Sequence, residues 1–225
     1  MALTHSPKIV TDGLVLYVDA ANARSYPGTG TTCTDLKNGF QGTLQNSPTF
    51  TSSNSGAFTF DGTDERILFT DNIAVTEATF LVWIKRSGDQ ATYGGIVMTR
   101  GDGGDTTGLN FYSSTENLGY HWNDASFSYS FNSGLTVPDG EWCMVALSVS
   151  SSAAVFYLYQ DTGLSTATKT ASHTSSDLNA IEIGGDPYQG SRQFIGDLAI
   201  TQIYNRALSA DEIRQNYIAT KGRYA

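Results

Sequence analysis

The chain has 225 residues, of which 40% are hydrophobic and only 16% are Asp, Glu, Lys or Arg. Its net charge of −9 repels phosphate backbones and anionic lipid surfaces, which excludes nucleic acid and membrane as main partners. No stretch approaches the ~20 apolar residues that a bilayer-crossing helix needs, and the surplus of Ser, Thr, Asn and Gly suits short strands joined by polar turns.

In chain order, residues 14–18 form the first compact apolar run. Residues 42–56 are rich in Thr, Ser and Gly and read as a long loop. Phe58, Thr59 and Phe60 alternate, Asp61-Gly62 turns, and 66–69 resumes the strand pattern. Residues 78–85 set Phe80, Val82 and Ile84 on one face and Leu81 and Trp83 on the other, which predicts a central strand covered on both sides. Strands follow at 95–99, 109–112, 118–122 and 127–131. In the last of these, Phe127, Tyr129 and Phe131 alternate with Ser128 and Ser130 at period two. Residues 142–149 and 154–159 read as neighbours joined by Ser150-Ser151-Ser152, with a turn at 160–163 and further strands at 180–183 and 194–204. One helix is predicted at the end. Ser209 is its N-cap, Glu212 completes a capping box, and Leu208 can pack on Ile213 as a hydrophobic staple. That helix runs to residue 218, and the basic tail 221–225 is expected to fray.

About a dozen antiparallel strands with no linker or repeat predict one all-β domain over 1–225. The expected architecture is a two-sheet antiparallel sandwich with one short C-terminal helix. Cys33 lies in a polar loop and Cys143 in a strand, and whether they pair is left open.

Three segments, in order, resemble the concanavalin A-like, laminin-G-like jelly-roll domains found in phage structural proteins. They are Gly13-Leu14-Val15-Leu16-Tyr17-Val18-Asp19-Ala20-Ala21-Asn22 with Ser25-Tyr26-Pro27-Gly28, Phe58-Thr59-Phe60-Asp61-Gly62-Thr63-Asp64, and Ile195-Gly196-Asp197-Leu198 with the block Ile203 to Ser209 and Glu212-Ile213. Lys221-Gly222-Arg223-Tyr224 adds to the likeness, whereas Cys33 stands where similar proteins have tryptophan. The resemblance implies a jelly roll over nearly the whole chain. It also implies a virion component, assembled in the host cytoplasm, that decorates a capsid or belongs to a tail or fibre. Its partners would be other virion proteins and host-surface glycans. Such proteins form symmetric assemblies, so a homo-oligomer is expected. A free carbohydrate-binding lectin or adhesin is the alternative, and a glycan hydrolase or lyase comes last.

Glycosidase chemistry needs two carboxylates across the scissile bond. Related glucanases carry them as Glu-x-Asp-x-x-Glu on one strand, a motif this chain lacks. Asp139-Gly140-Glu141 is the nearest pair and reads as a turn. No Gly-x-Ser-x-Gly elbow occurs, and the histidines and cysteines lack zinc-ligand spacing. The expectation is a protein that is not an enzyme. Family members often bind calcium where the loop after the first strand meets the last strand. Here that maps to Asp35 and Asp197, so Ca2+ is the metal to expect. A sugar site would combine an exposed aromatic ring with nearby polar groups. Tyr120 and Trp122 on one strand face, Asn123 and Asp124 just beyond, and Tyr188 in the loop 186–190 are the candidates. The competing reading places these aromatics in the core.

Overall fold

The computed structural model describes residues 7–53, 56–100, 105–113, 115–186 and 190–224. The first strands are β1 (Leu14–Asp19), β2 (Thr32–Thr34), β3 (Gln41–Gln45), β4 (Thr49–Thr51), β5 (Ala57–Asp61) and β6 (Arg66–Phe69). There follow β7 (Ile73–Val75), β8 (Ala78–Arg86), β9 (Gly95–Arg100), β10 (Thr106–Phe111) and β11 (Leu118–His121). A single helical turn, α1 (Ser126–Tyr129), precedes β12 (Trp142–Val149), β13 (Ala153–Gln160) and β14 (Gly163–Thr170). The chain closes with β15 (Ser176–Leu178), β16 (Ile181–Ile183), β17 (Ile195–Tyr204) and helix α2 (Ala210–Thr220).

These strands build an antiparallel jelly-roll sandwich, in agreement with the fold expected from sequence. One sheet runs β14-β13-β12-β8-β17-β5-β4, with β1 also on β17, and the other runs β11-β10-β9-β16-β6-β3-β2. β17 serves both β5 and β1 on one edge, because a register shift between Leu198 and Ile200 lets Ile195–Leu198 pair with β5 and the rest with β1. The two faces of β8 then do different work. Phe80, Val82 and Ile84 enter the core between the sheets with Phe58, Phe69, Phe111 and Phe156. Leu81 and Trp83 point out, into a second apolar layer with Met144, Tyr204, Val10, Leu208 and Ile213.

That second layer exists because α2 covers it. Ser209 accepts from the Glu212 amide and Glu212 answers the Ser209 amide, so the capping box forms as the sequence predicts. Asn216, fully buried, accepts from the Val10 amide at 2.7 Å and donates to the Tyr204 hydroxyl at 3.0 Å. Among the described residues no helix is long and apolar enough to cross a membrane.

Three expectations are corrected and one open question is settled. Residues 127–131 are not a strand. The Ser128 hydroxyl accepts from the Trp122 amide at 3.0 Å and donates to the Ala125 carbonyl at 2.7 Å, which closes a helical turn instead. Within 42–56, β3 and β4 form; Gly42 lies so close to the Phe69 ring that a Cβ would sit 2.5 Å from it. The tail does not fray over its described length. Arg223 grips Asp19 through two 2.8 Å bonds and Tyr224 stacks on Trp83 at 4.3 Å. Cys33 and Cys143 are free, buried thiols, so the open question of pairing resolves against a disulfide.

Candidate ligand-binding site

The site begins with the alternation of β11. Leu118 and Tyr120 point into the core, which sends His121 to the outer face of the seven-stranded sheet. Its cross-strand partner is Gly108, whose φ of +146° and lack of a Cβ let Val97 and Met98 approach closely. On the same face Arg100 pairs with Thr106, and its Nη2 donates to the Thr106 hydroxyl at 3.1 Å. The chain then reverses at Asn123 and Asp124, which hold φ near +50°. The Asp124 amide donates to the Thr106 carbonyl at 3.0 Å, and its carboxylate lies 3.4 Å from His121 Nδ1.

Two tyrosines wall this position. α1 carries Tyr129, whose ring centre is 5.7 Å from His121. Tyr93 stands edge-on to the imidazole, also at 5.7 Å, from a left-handed backbone with φ of 58°. A bulky residue holds that conformation only where its surroundings impose it, and such strain gathers at binding sites. The Arg192 guanidinium lies 4.9 Å over the Tyr93 ring and pairs at 3.1 Å with Asp186, whose side chain is fully buried. Together these residues enclose a pocket of about 230 Å³.

Burial pushes the His121 imidazole below the ordinary histidine range, against the pull of the Asp186 and Asp124 charges. Its Nδ1 faces Asp124, while Nε2 is buried with no hydrogen-bond partner among the described residues. Elsewhere on this outer face, Glu182 projects from β16 and pairs with Arg66 at 3.2 Å. Burial, partly offset by Arg66, raises its carboxyl to about 7.

A larger cleft of about 450 Å³ lies at the end of the other sheet, around Thr59, Lys85, Gly196 and Asp197. Its one aromatic lining residue, Phe60, is only 1% exposed, so it offers no ring for stacking. The aromatic cleft beside α2 is occupied by its own rings, with Tyr159 on Tyr217 and Tyr224 on Trp83, both at 4.3 Å.

Of the residues singled out in the sequence, Asp124 lines the pocket, whereas Tyr120, Trp122 and Asn123 fall beside it. Tyr120 and Trp122 are each 1% exposed and belong to the core. The Tyr120 hydroxyl meets His173 at 3.1 Å, and the Trp122 indole donates to the Thr174 carbonyl at 2.8 Å. Neither has a ring face for a sugar, so both assignments are corrected: the shared face of Tyr120 and Trp122 is the inward one. The Asn123 amide is spent on Ser175 and Thr174, tying the β11 turn to a neighbouring loop. Tyr188 lies outside the described residues. The residues the sequence reading passed over are His121, one position off in register, and Tyr129, hidden in a pattern that read as a strand. Three large side chains at 118, 120 and 122 were the signal that this was the core face.

Asp35 and Asp197 do not form a shared metal centre. The Asp35 carboxylate accepts from the backbone amides of Tyr17, Lys37 and Asn38. Asp197 accepts from Thr59 at 2.6 Å and lies 4.0 Å from the Lys85 ammonium. Tyr17 pairs with Gln202, five positions from Asp197 along β17, or roughly 16 Å at strand rise. Calcium takes its oxygens at ~2.4 Å, so one ion cannot reach both carboxylates. Among the described residues, no group of three or more His, Cys, Asp or Glu side chains could hold a metal ion.

Residues 60–214 match the family model of the concanavalin A-like lectin/glucanases superfamily. The chain belongs to that superfamily. No curated protein sequence matches this superfamily member. Among solved structures, domain 4 of AbnA, a GH43 extracellular arabinanase from Geobacillus stearothermophilus in complex with arabinotriose, is 15% identical with a TM-score of 0.65, covering 92% of this chain and 98% of that one. Trypanosoma rangeli sialidase in complex with sialic acid is 15% identical with a TM-score of 0.62; the match covers 97% of this chain but only 36% of the sialidase. The binding domain of Paraclostridial Mosquitocidal Protein 1 is also 15% identical, with a TM-score of 0.58 over 93% of this chain and 52% of that one. At these identities the likeness establishes the shared jelly roll and no more.

Proposed function

We propose that this chain is a non-catalytic glycan-binding module and that the pocket around His121 is its site. One observation carries the reading: two half-buried tyrosine rings flank a small pocket whose remaining lining is hydrogen-bonding. Aromatic faces cover the C–H surface of a sugar ring, and hydroxyls need donors and acceptors around the edge. Arg100 and Arg192 donate and Asp124 accepts, while Thr106 and His121, nearly fully buried, form the floor. At about 230 Å³ the pocket suits one sugar unit rather than a chain. The arabinotriose complex of the domain of AbnA supports a saccharide as the ligand class.

The non-catalytic reading rests on the carboxylates. Asp186 is sealed beneath Arg192, and among the described residues Asp124 is the one carboxylate lining the pocket. A retaining or inverting hydrolase needs two such groups facing each other across the bond. The virion setting, with other virion proteins as partners, rests on the resemblance of the opening and closing segments to phage structural proteins.

Binding is tested on a glycan array followed by calorimetry, with Tyr129→Ala as the variant. Loss of about tenfold or more in affinity is expected, which is ~1.4 kcal/mol. Unchanged affinity in that variant would move the site elsewhere, and sugar release from polysaccharide would make the protein an enzyme. Mass spectrometry of washed phage particles tests the setting; a stoichiometric band is expected, and its absence removes the virion role.

A further inference from the structure

Among the described residues, four of the five open strand edges in the two large sheets are closed or short. β2 and β4 have three residues each. β11 has four, and its Leu118 exchanges backbone bonds with Ser133 and Leu135. The open side of β1 is covered by its own loop, through Asp35 and Leu36 on Tyr17, Ser25 on Asp19, and Asn38 on Val15.

β14 is different. It pairs with β13 over all eight residues without a register shift, and its other side pairs with no described strand. Natural sheets guard such edges with outward charge, proline, bulges or shortness. β14 has no proline and one charge, Lys169, whose ammonium lies 5.6 Å over the Phe131 ring rather than along the edge. Leu164, 46% exposed, is the only exposed large hydrophobic among the described residues, and it sits on this strand.

We infer that β14 is a self-pairing edge, through which two copies of this chain join antiparallel about a two-fold axis. The occupant is a second copy because the strand is complementary to itself. A register centred on Ala167 pairs residues 164–170 with their own copies. Thr166 then opposes the partner's Thr168, Ser165 opposes the partner's Lys169, and Leu164 meets the methyl of the partner's Thr170. No like charges face each other, and every side chain near the axis is small. The closure is isologous, so pairing stops at the dimer. None of this depends on the glycan reading.

Light scattering of the full chain over a concentration series should show the mass rising from 24.2 kDa to twice that value. The double variant Thr166→Lys/Thr168→Lys sets ammonium groups opposite one another at two exposed positions. It should melt as the parent does and dissociate roughly tenfold more readily. Amide exchange gives a reading that needs no variant: β14 amides should slow as concentration rises, while those of β2 do not. A parent that stays monomeric at millimolar concentration overturns the inference. So does a dimer that leaves β14 exchange unchanged, as does one that survives the double substitution in folded protein.

Discussion

On the outer face of the eight-stranded sheet, Leu81, Trp83, Met144 and Tyr204 lie under α2 and the segment at Val10. On the outer face of the other sheet, Arg66, Arg100, Thr106, His121 and Glu182 lie under no comparable helix. The strands themselves explain the contrast. In β8 both sets of alternating positions are apolar, so the outward set had to be covered, and a capped helix of eleven residues does it. In β10 and β11 the outward set is Thr106, Gly108, Asn110, Gly119 and His121, which gains little from an apolar lid. One face is closed by an apolar layer and a helix, and the other carries buried polar groups around the pocket that the proposed function uses.

The contrast can be broken from the covered side first. Trp83 is 3% exposed, stacks on Tyr217 and Tyr224, and donates to the Thr220 hydroxyl at 2.8 Å. Trp83→Ala should lower unfolding free energy by about 3–5 kcal/mol in a denaturant titration, while glycan affinity of the folded protein stays unchanged. Tyr129→Ala should do the reverse, lowering affinity about tenfold with a far smaller change in melting temperature. If both variants lost stability alike, the two faces would not be functionally distinct. Ser209→Ala removes one half of the capping box and should cost about 1 kcal/mol.

A second contrast separates the faces by pH. The Glu182 carboxyl is raised to about 7 from an ordinary glutamate value, mainly by burial. A carboxyl raised on folding favours the protonated native state. Its contribution is complete below the unfolded value and is lost as pH climbs through about 7. Glu182→Gln should flatten that part of the stability curve, seen as melting temperature against pH from 4 to 8. An unchanged slope would place the ionisation elsewhere. Smallest of all is calcium: with Asp35 and Asp197 committed to separate partners, its addition should leave the melting temperature where it was.

The sequence showed the fold where pattern and burial agree, as in β8 and the box at Ser209. It misled where local chemistry could be satisfied in two ways. Residues 127–131 alternate like a strand, yet the Ser128 hydroxyl bridges two backbone groups and winds them into a turn. β14 was invisible as a strand because Gly, Ser, Thr and Lys carry no apolar stripe; its order comes from pairing with β13, not from burial. The proposed pocket lies one residue off the predicted face. Tyr120 and Trp122 look like sugar platforms, but period two assigns them to the core with Leu118 and leaves His121 outside. Tyr93 and Arg192 reach the pocket from distant segments, which no local pattern announces.

The clasp between the two ends of the described chain has a mechanical consequence. Val10 is bonded to Asn216 of α2, and Arg223 to Asp19 of β1, so both flanks are fastened to the covered face. A pull delivered through those flanks is taken up by α2, β1 and β17, strands and helix loaded side by side. The outer strands that shape the His121 pocket belong to the other sheet and stand outside that path. On the proposed reading, a load on the flanks leaves the shape of the His121 pocket unchanged.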